Sequence, residues 1–190
     1  MAKGDSGLLA AIRRGRPGAF EELAVPLADR LYSLLAGMVG KTDAEDLLQE
    51  TFLKAYRGVH DFRGGSSFAT WITKIAINTA RSHVRKKHPI SIAEEIAKDS
   101  EDPSADRLDA MPSPAITPAE ALEKKEQKKQ IAVALEKLAD EEREVLLLRE
   151  IDELSYEEIA GVLEVSPDAV RSRLHRARQH MFGLLGGGRA

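Results

Sequence analysis

Two groups of side chains are spaced so that they could act on a ligand. Near the C-terminus Arg171, Ser172, His175 and Arg176 share one face of a helical pattern, opposite an apolar stripe of Val170, Leu174, Ala177 and Met181. Guanidinium, hydroxyl and imidazole groups on one helix face are donors and acceptors suited to base edges in a DNA major groove. Earlier in the chain, Lys74, Asn78, Arg81 and Arg85 recur at i, i+4, i+7 and i+11, flanked by Trp71 and preceded by Phe62, Arg63 and Phe68. Cations at that spacing can follow a phosphate backbone, while aromatic faces can stack on unpaired bases, each stack contributing ~1–3 kcal/mol. Phe62 and Phe68, taken singly, are better read as hydrophobic core. For Lys74, Asn78, Arg81 and Trp71 together, nucleic acid is the better reading.

Catalysis and metal chemistry have little to stand on. The sequence has no Gly-rich phosphate loop ending in Lys-Ser or Lys-Thr and no His-Glu-x-x-His pair, and His175 and His180 are off the i, i+4 register of a helical metal site. Cysteine is absent, which rules out disulfides and thiolate ligands and favours a reducing, cytoplasmic setting. No stretch approaches the ~20 apolar residues that a membrane span requires, so no membrane insertion is expected. No cofactor is implied, and the expectation is a non-enzymatic protein.

The net charge of −3 conceals a segregated distribution. Residues 1–88 carry 14 Lys/Arg against 9 Asp/Glu, whereas residues 131–190 carry 8 against 12, with the acids crowded before position 169. A local basic stripe matters more to nucleic-acid binding than the total.

Helices must position these groups. Ser155 with Glu158 forms a capping box and Ser166–Pro167 a second start signal, leaving a three-residue turn between two short helices over residues 155–181. That is the layout of a helix-turn-helix, whose second helix enters the major groove. An ordinary surface hairpin has the same spacing. Glu164 stands in the turn where glycine is common, so a side chain must be tolerated there.

Upstream, Leu8, Leu9 and Ile12 mark a short helix ended by Gly15, Pro17 and Gly18. Pro26 predicts a kink or break inside the next helical pattern. Thr42 and Glu45 predict a capping box for a helix that buries Leu47, Leu48, Thr51, Phe52 and Ala55. Its other face carries Asp46, Gln49, Glu50, Leu53 and Arg57. An exposed Leu in an acidic patch is a mild sign of a docking surface, while a solvated face with one stray apolar residue is the more common case.

Residues 63–67 form a Gly/Ser loop, and a helical pattern runs on from Thr70. Residues 89–116, rich in Pro and acids and free of aromatics, read as a linker. Beyond it, Thr117, Pro118 and Glu120 start a helix expected to bury Ile131, Val133 or Ala134, Leu135 and Leu138. Asp140 is expected to cap the following helix, with Val145, Leu146 and Leu148 inside. The expected fold is all-α: two small helical domains, 1–88 and 117–190, joined by the acidic linker 89–116.

Three segments, DAEDLLQETFLKAYR, FRGGSSFATWITKIAINTARSHVRKK and LREIDELSYEEIAGVLEVSPDAVRSRLHRAR, in that order, resemble the bacterial RNA polymerase sigma factors of the extracytoplasmic-function (ECF) group. The resemblance implies a sigma region 2 domain over 1–88 and a region 4 domain over 117–190. Asp46, Gln49, Glu50 and Leu53 would dock on the clamp helices of core RNA polymerase, with the flap as a further contact. Phe62, Arg63, Phe68, Trp71, Lys74, Asn78, Arg81 and Arg85 would open and hold the promoter −10 element. Arg171, Ser172, His175 and Arg176 would read the −35 element, and the linker would thread toward the active site. An anti-sigma factor is a further implied partner. Residues 166–169 depart from the family pattern, so a specific promoter sequence does not carry over, and Asp168 would either face away from phosphate or accept from a cytosine amino group. A stand-alone helix-turn-helix regulator that binds duplex DNA without polymerase is the competing reading.

Overall fold

The computed structural model describes residues 3–87 and 118–186, so the expected linker and Thr117, expected to start the helix beyond it, lie outside the described residues. All regular elements among the described residues are helical. The first set comprises α1 (Lys3–Arg13), α2 (Ala19–Ala24), α3 (Ala28–Val39), α4 (Lys41–Gly58) and α5 (Phe68–Lys87). The second comprises α6 (Pro118–Glu136), α7 (Asp140–Glu150), α8 (Tyr156–Leu163) and α9 (Pro167–Leu184).

Pro26 breaks its helix as expected. A single 3-10 turn, Val25–Leu27, separates α2 from α3, because the ring cannot donate to the preceding turn. Two helix caps differ from the sequence reading, one by two residues and one by a single residue. Gly40, at φ 85°, is the N-cap of α4, so Thr42 lies inside the first turn and is not its cap. Likewise Ala139 precedes α7 and Asp140 is its first residue, where a carboxylate still complements the helix dipole.

In α4, Ala44, Leu47, Thr51 and Ala55 are buried, with Leu48 and Phe52 partly so, while Asp46, Gln49, Glu50, Leu53 and Arg57 are exposed. In α6, Ala134 is buried and Leu135 half-buried, with Leu138 buried just beyond its end, but Ile131 and Val133 are exposed at 44% and 42%. The expectation that Ile131 is core is thereby corrected: near the end of α6 Ala134 is turned inward, and Ile131 and Val133 lie on the exposed side.

The two sets also meet. Leu31, Leu34 and Leu35 of α3 belong to the same hydrophobic cluster as Val145, Leu147 and Leu148 of α7 and Ile159 of α8. Gly37 makes this approach possible, since a Cβ there would stand 2.6 Å from Leu147 Cδ2. The two domains are packed against each other through α3 and α7.

Candidate nucleic-acid interface

The turn before α5 and the start of α5 set up the first site. Ser67 Oγ accepts from the Thr70 N–H at 3.0 Å and Ser67 O accepts from the Trp71 N–H at 3.0 Å, so the helix begins at Phe68, two residues before the sequence pattern shows it. Below this turn sits an aromatic cluster. Phe68 and Phe62 meet edge-on with centroids 6.2 Å apart, Phe20 meets Phe68 at 6.4 Å, and Trp71 leans on Phe62 at 5.1 Å and Phe68 at 5.6 Å. The Arg13 guanidinium donates to Phe62 O at 2.7 Å and ties α1 to the loop.

Phe62 and Phe68 are 4% and 1% exposed, so their rings are core and closed to a stacking base. Their burial nevertheless matters to the site, because it fixes Trp71, which remains half-exposed at its rim. Arg63 is exposed in the loop, and Asn78 and Arg85 are exposed along α5.

Lys74 and Arg81 are already engaged. Lys74 Nζ stands 2.9 Å from Glu164 Oε1, which holds that carboxyl below its usual range. Arg81 makes a two-pronged pair with Glu144 at 2.6 and 2.7 Å, a planar fork matched to a carboxylate, and its own proton affinity is raised by that bond. Between these pairs, Thr70 donates to Glu158 at 3.3 Å and Thr73 to Asp152 at 2.8 Å. Arg30 Nε is 2.7 Å from Asp152 Oδ1 but off hydrogen-bond geometry, so neither atom has a hydrogen-bond partner among the described residues. Burial pushes the Asp152 carboxyl up despite Thr73 and Arg30. Glu144, Asp152, Glu158 and Glu164 all come from the second set of helices. Glu158 and Glu164 are legible in the sequence only as a cap and a turn residue, and Glu144 and Asp152 only as two of many acids, so no periodicity points to their contacts with α5.

The second site stands open. Ser155 and Glu158 complete the capping box of α8 in both directions, at 3.2 and 2.9 Å. Glu164 takes the left-handed conformation at φ 60°, which resolves how the turn works without glycine. Ser166 Oγ then accepts from the Ala169 N–H at 3.2 Å and Pro167 occupies the first turn of α9. Val170, Leu174 and Ala177 are buried, with Met181 half-buried, so Arg171, Ser172, His175 and Arg176 point outward as expected.

The basic stripe of α9 is divided by this orientation. Arg173 pairs with Glu141 at 3.0 Å and Arg178 with Glu150 at 2.9 Å, fastening α9 to α7. Arg171 bonds only its helical neighbour Asp168, at 2.8 Å, while Arg176 and His175 make no hydrogen bond or ion pair among the described residues. On α4, Asp46, Gln49, Glu50 and Leu53 form one exposed face. Glu50 is bound by Lys54 at 2.8 Å, a contact that lowers its carboxyl's proton affinity. No cluster of His, Asp or Glu among the described residues could hold a metal ion, and none of the helices there is long and apolar enough to cross a membrane.

Comparison with known proteins matches both halves. Residues 23–89 fit the family description "Sigma-70 region 2" and residues 128–181 fit "Sigma-70, region 4". The chain is 34% identical over 185 residues to the "ECF RNA polymerase sigma-E factor" of Escherichia coli (strain K12), covering 92% of this chain and 91% of that one. It is 35% identical over 179 residues to the "RNA polymerase sigma-H factor" of Pseudomonas aeruginosa, covering 92% and 90%. Among solved structures, CnrH in complex with the cytosolic domain of CnrY superposes with a TM-score of 0.69 at 26% identity, covering 97% of this chain and 99% of that one. The sigma factor RpoE of Bartonella quintana, in complex with the anti-sigma factor NepR, shares the fold with a TM-score of 0.67 at 23% identity, covering 90% and 99%.

Proposed function

Because the chain belongs to the ECF group of the sigma-70 family, whose members are alternative sigma factors that direct transcription initiation, we propose how its residues divide that task. Residues 1–88 act as the region 2 domain, 117–190 as the region 4 domain and 89–116 as the linker. The exposed face of α4, with Leu53 49% exposed among Asp46, Gln49 and Glu50, docks on the clamp helices of core polymerase. Arg63, Trp71, Lys74, Asn78, Arg81 and Arg85 hold the single strand of the −10 element, with Trp71 as the stacking ring. Phe62 and Phe68 support that ring from the core.

Arg171, Ser172, His175 and Arg176 read the −35 element. The outward face of α9 carries this reading, since a doubly capped helix-turn-helix presents four base-capable side chains with Arg176 and His175 uncommitted. Tethering two weak readers to one polymerase raises the effective concentration of each for its half of the promoter, so neither needs high affinity alone. The whole-length similarity to sigma factors does not favour the stand-alone regulator. An anti-sigma factor is a fitting partner, given that RpoE was solved in complex with the anti-sigma factor NepR and CnrH in complex with the cytosolic domain of CnrY.

The test is transcription in vitro with core RNA polymerase across a library of genomic fragments. New start sites that depend on the added protein are expected, and none at all would sink the reading. Tight, specific duplex binding by the isolated protein would instead restore the stand-alone regulator.

A further inference from the structure

Residues 63–66 are held at both ends and left open between them. At the exit, Ser67 caps α5 through the Thr70 and Trp71 N–H groups. At the entry the holding group is Arg13, whose Nη2 donates to Phe62 O at 2.7 Å across 49 positions of sequence. Between these points Arg63, Gly64 and Gly65 make no hydrogen bond or ion pair among the described residues, and Ser66 Oγ reaches only Ser67 O, at 3.2 Å. Gly64 takes the left-handed conformation at φ 77°, and a Cβ on Gly65 would meet nothing within 4 Å.

Phe62 is where two constraints meet. Its ring is core and bears on Trp71 at 5.1 Å, while its backbone leaves the 3-10 turn Val59–Asp61 in an extended conformation, φ −66° and ψ 112°. A peptide unit is planar, so fixing the Phe62 oxygen also fixes the N and Cα of Arg63. A guanidinium bond to that oxygen is charge-assisted and holds more firmly than a neutral one. The platform behind it is rigid. Ala11 and Ile12, beside Arg13, are 7% and 6% exposed, and the Gly15 N–H closes on Ile12 O at 2.8 Å. Arg13 also stands in the last turn of α1, where the helix dipole favours a cation. Sequence spacing does not single it out from Arg14 and Arg16, and it precedes residues 23–89, the stretch that fits the region 2 description.

We propose that Arg13 is a positioning residue for the −10 strand: from outside the basic helix it sets where the loop carries Arg63 relative to α5. This rests on the reading of Arg63, Trp71 and Asn78 as groups that hold that strand. Without the Arg13 bond the Phe62 oxygen has no partner among the described residues. The loop then samples more positions, its glycines allowing many, and binding weakens by the fraction that fits the strand.

Three variants test this. Arg13→Met keeps the aliphatic stem and deletes the donor, Arg13→Lys restores one charged donor, and Arg14→Met removes an exposed cation that makes no side-chain bond among the described residues. Each full-length protein is checked by circular dichroism, thermal unfolding and core-polymerase binding. Open-complex formation by the holoenzyme is then measured on a promoter it uses and on single-base variants of the −10 and −35 elements. Arg13→Met should open the promoter about tenfold more slowly, with a narrower spread of rates among −10 variants and an unchanged spread among −35 variants. Arg13→Lys should recover most of the rate, and Arg14→Met should match the unmodified chain. A −10 spread as wide in Arg13→Met as in the unmodified chain overturns the proposal, as does an equal effect from Arg14→Met. A lowered unfolding midpoint with both spreads reduced alike makes Arg13 a structural tie only, and overturns it too. Should Arg13→Met fail to fold, the −10 spread of Arg13→Lys decides in the same way, narrower under the proposal and unchanged if it is wrong. Trp71→Ala and Asn78→Ala run alongside. If they narrow −10 discrimination and Arg13→Met does not, the proposal alone falls; if none of the three does, the reading of the −10 site falls with it.

Discussion

Helices α5 and α9 carry similar side chains to different ends. Both bury a continuous apolar stripe, both begin at a serine that accepts the N–H of the residue three positions on, and both turn cations away from the core. On α5 the cations Lys74 and Arg81 end on carboxylates of the other set of helices, whereas on α9 Arg176 and His175 end in solvent. A basic helix face is therefore no measure of availability. What decides it is whether the remainder of the chain can bring acids to the same spacing.

The two helices share one hydrophobic cluster, and the largest effect tests whether that sharing is energetic. Leu174 is 1% exposed, and Leu174→Ala should cost ~2–5 kcal/mol of unfolding free energy in chemical denaturation, through lost burial and an unfilled cavity. If the sets are coupled, fluorescence of Trp71 in the first set should report the same shifted transition as circular dichroism. A shift confined to part of the helical signal would make the sets independent and weaken the comparison.

Arginine removal separates the helices next. Arg81→Ala leaves Glu144, which is 5% exposed, buried without its partner, and should cost ~1–3 kcal/mol of stability besides impairing −10 strand binding. Arg176→Ala should leave the unfolding midpoint unchanged and weaken −35 use by ~1–3 kcal/mol if it contacts a base, with polymerase binding preserved. Equal loss of affinity for every upstream sequence would mean that Arg176 touches only phosphate.

A smaller effect concerns Asp152 and pH. Its carboxyl is raised above its ordinary value chiefly by burial, so its contribution to stability is full below that ordinary value and is lost as pH rises through the raised one. Asp43 and Glu158 are lowered, Asp43 first by its bond to Lys87 and Glu158 first by the Ser155 backbone, and their contributions run the other way, lost as pH falls. In melts across the acid range, Asp152→Asn should gain on the unmodified chain as pH rises and lose that advantage toward low pH. A pH-independent difference would mean that Asp152 is not held in a raised state.

How much of this could be read from residue order follows from the range of each cause. The caps at Ser155 and Ser166 and the break at Pro26 are local, set by a side chain within three or four residues of the backbone it bonds, and all three appear where the spacing puts them. The stripes of α4, α5 and α9 repeat at the helical period and were equally legible. Ile131 was misplaced because α6 has more apolar residues than neighbours to cover them. The bonds from Thr73 to Asp152 and Arg81 to Glu144 span 79 and 63 positions, and no local rule relates residues at that separation. Phe62 and Phe68 illustrate the middle case: an aromatic beside a basic stripe can be platform or foundation, and only three-dimensional packing separates the two.

The smallest effect bears on α9 alone. Asp168 stands in the first turn, 86% exposed, with its Oδ1 2.8 Å from Arg171 Nη1. An exposed i, i+3 pair and a favourable charge at a helix N-terminus contribute only a few tenths of a kcal/mol each, so Asp168→Ala should move the unfolding free energy by ~0.5 kcal/mol or less. Its effect on DNA is the informative part. If Asp168 serves only to hold Arg171, its removal frees a cation and deletes an anion beside the groove, and affinity should rise on every upstream sequence with a steeper salt dependence. If instead Asp168 accepts from a cytosine amino group, the substitution should cost ~1–3 kcal/mol at one base position and leave the others unchanged. Competition among −35 variants with single base changes, scored with unmodified and Asp168→Ala protein in the same transcription assay, distinguishes the two. The first outcome would show that even the open helix keeps one of its arginines in check, as α5 does with acids brought from the other half of the chain.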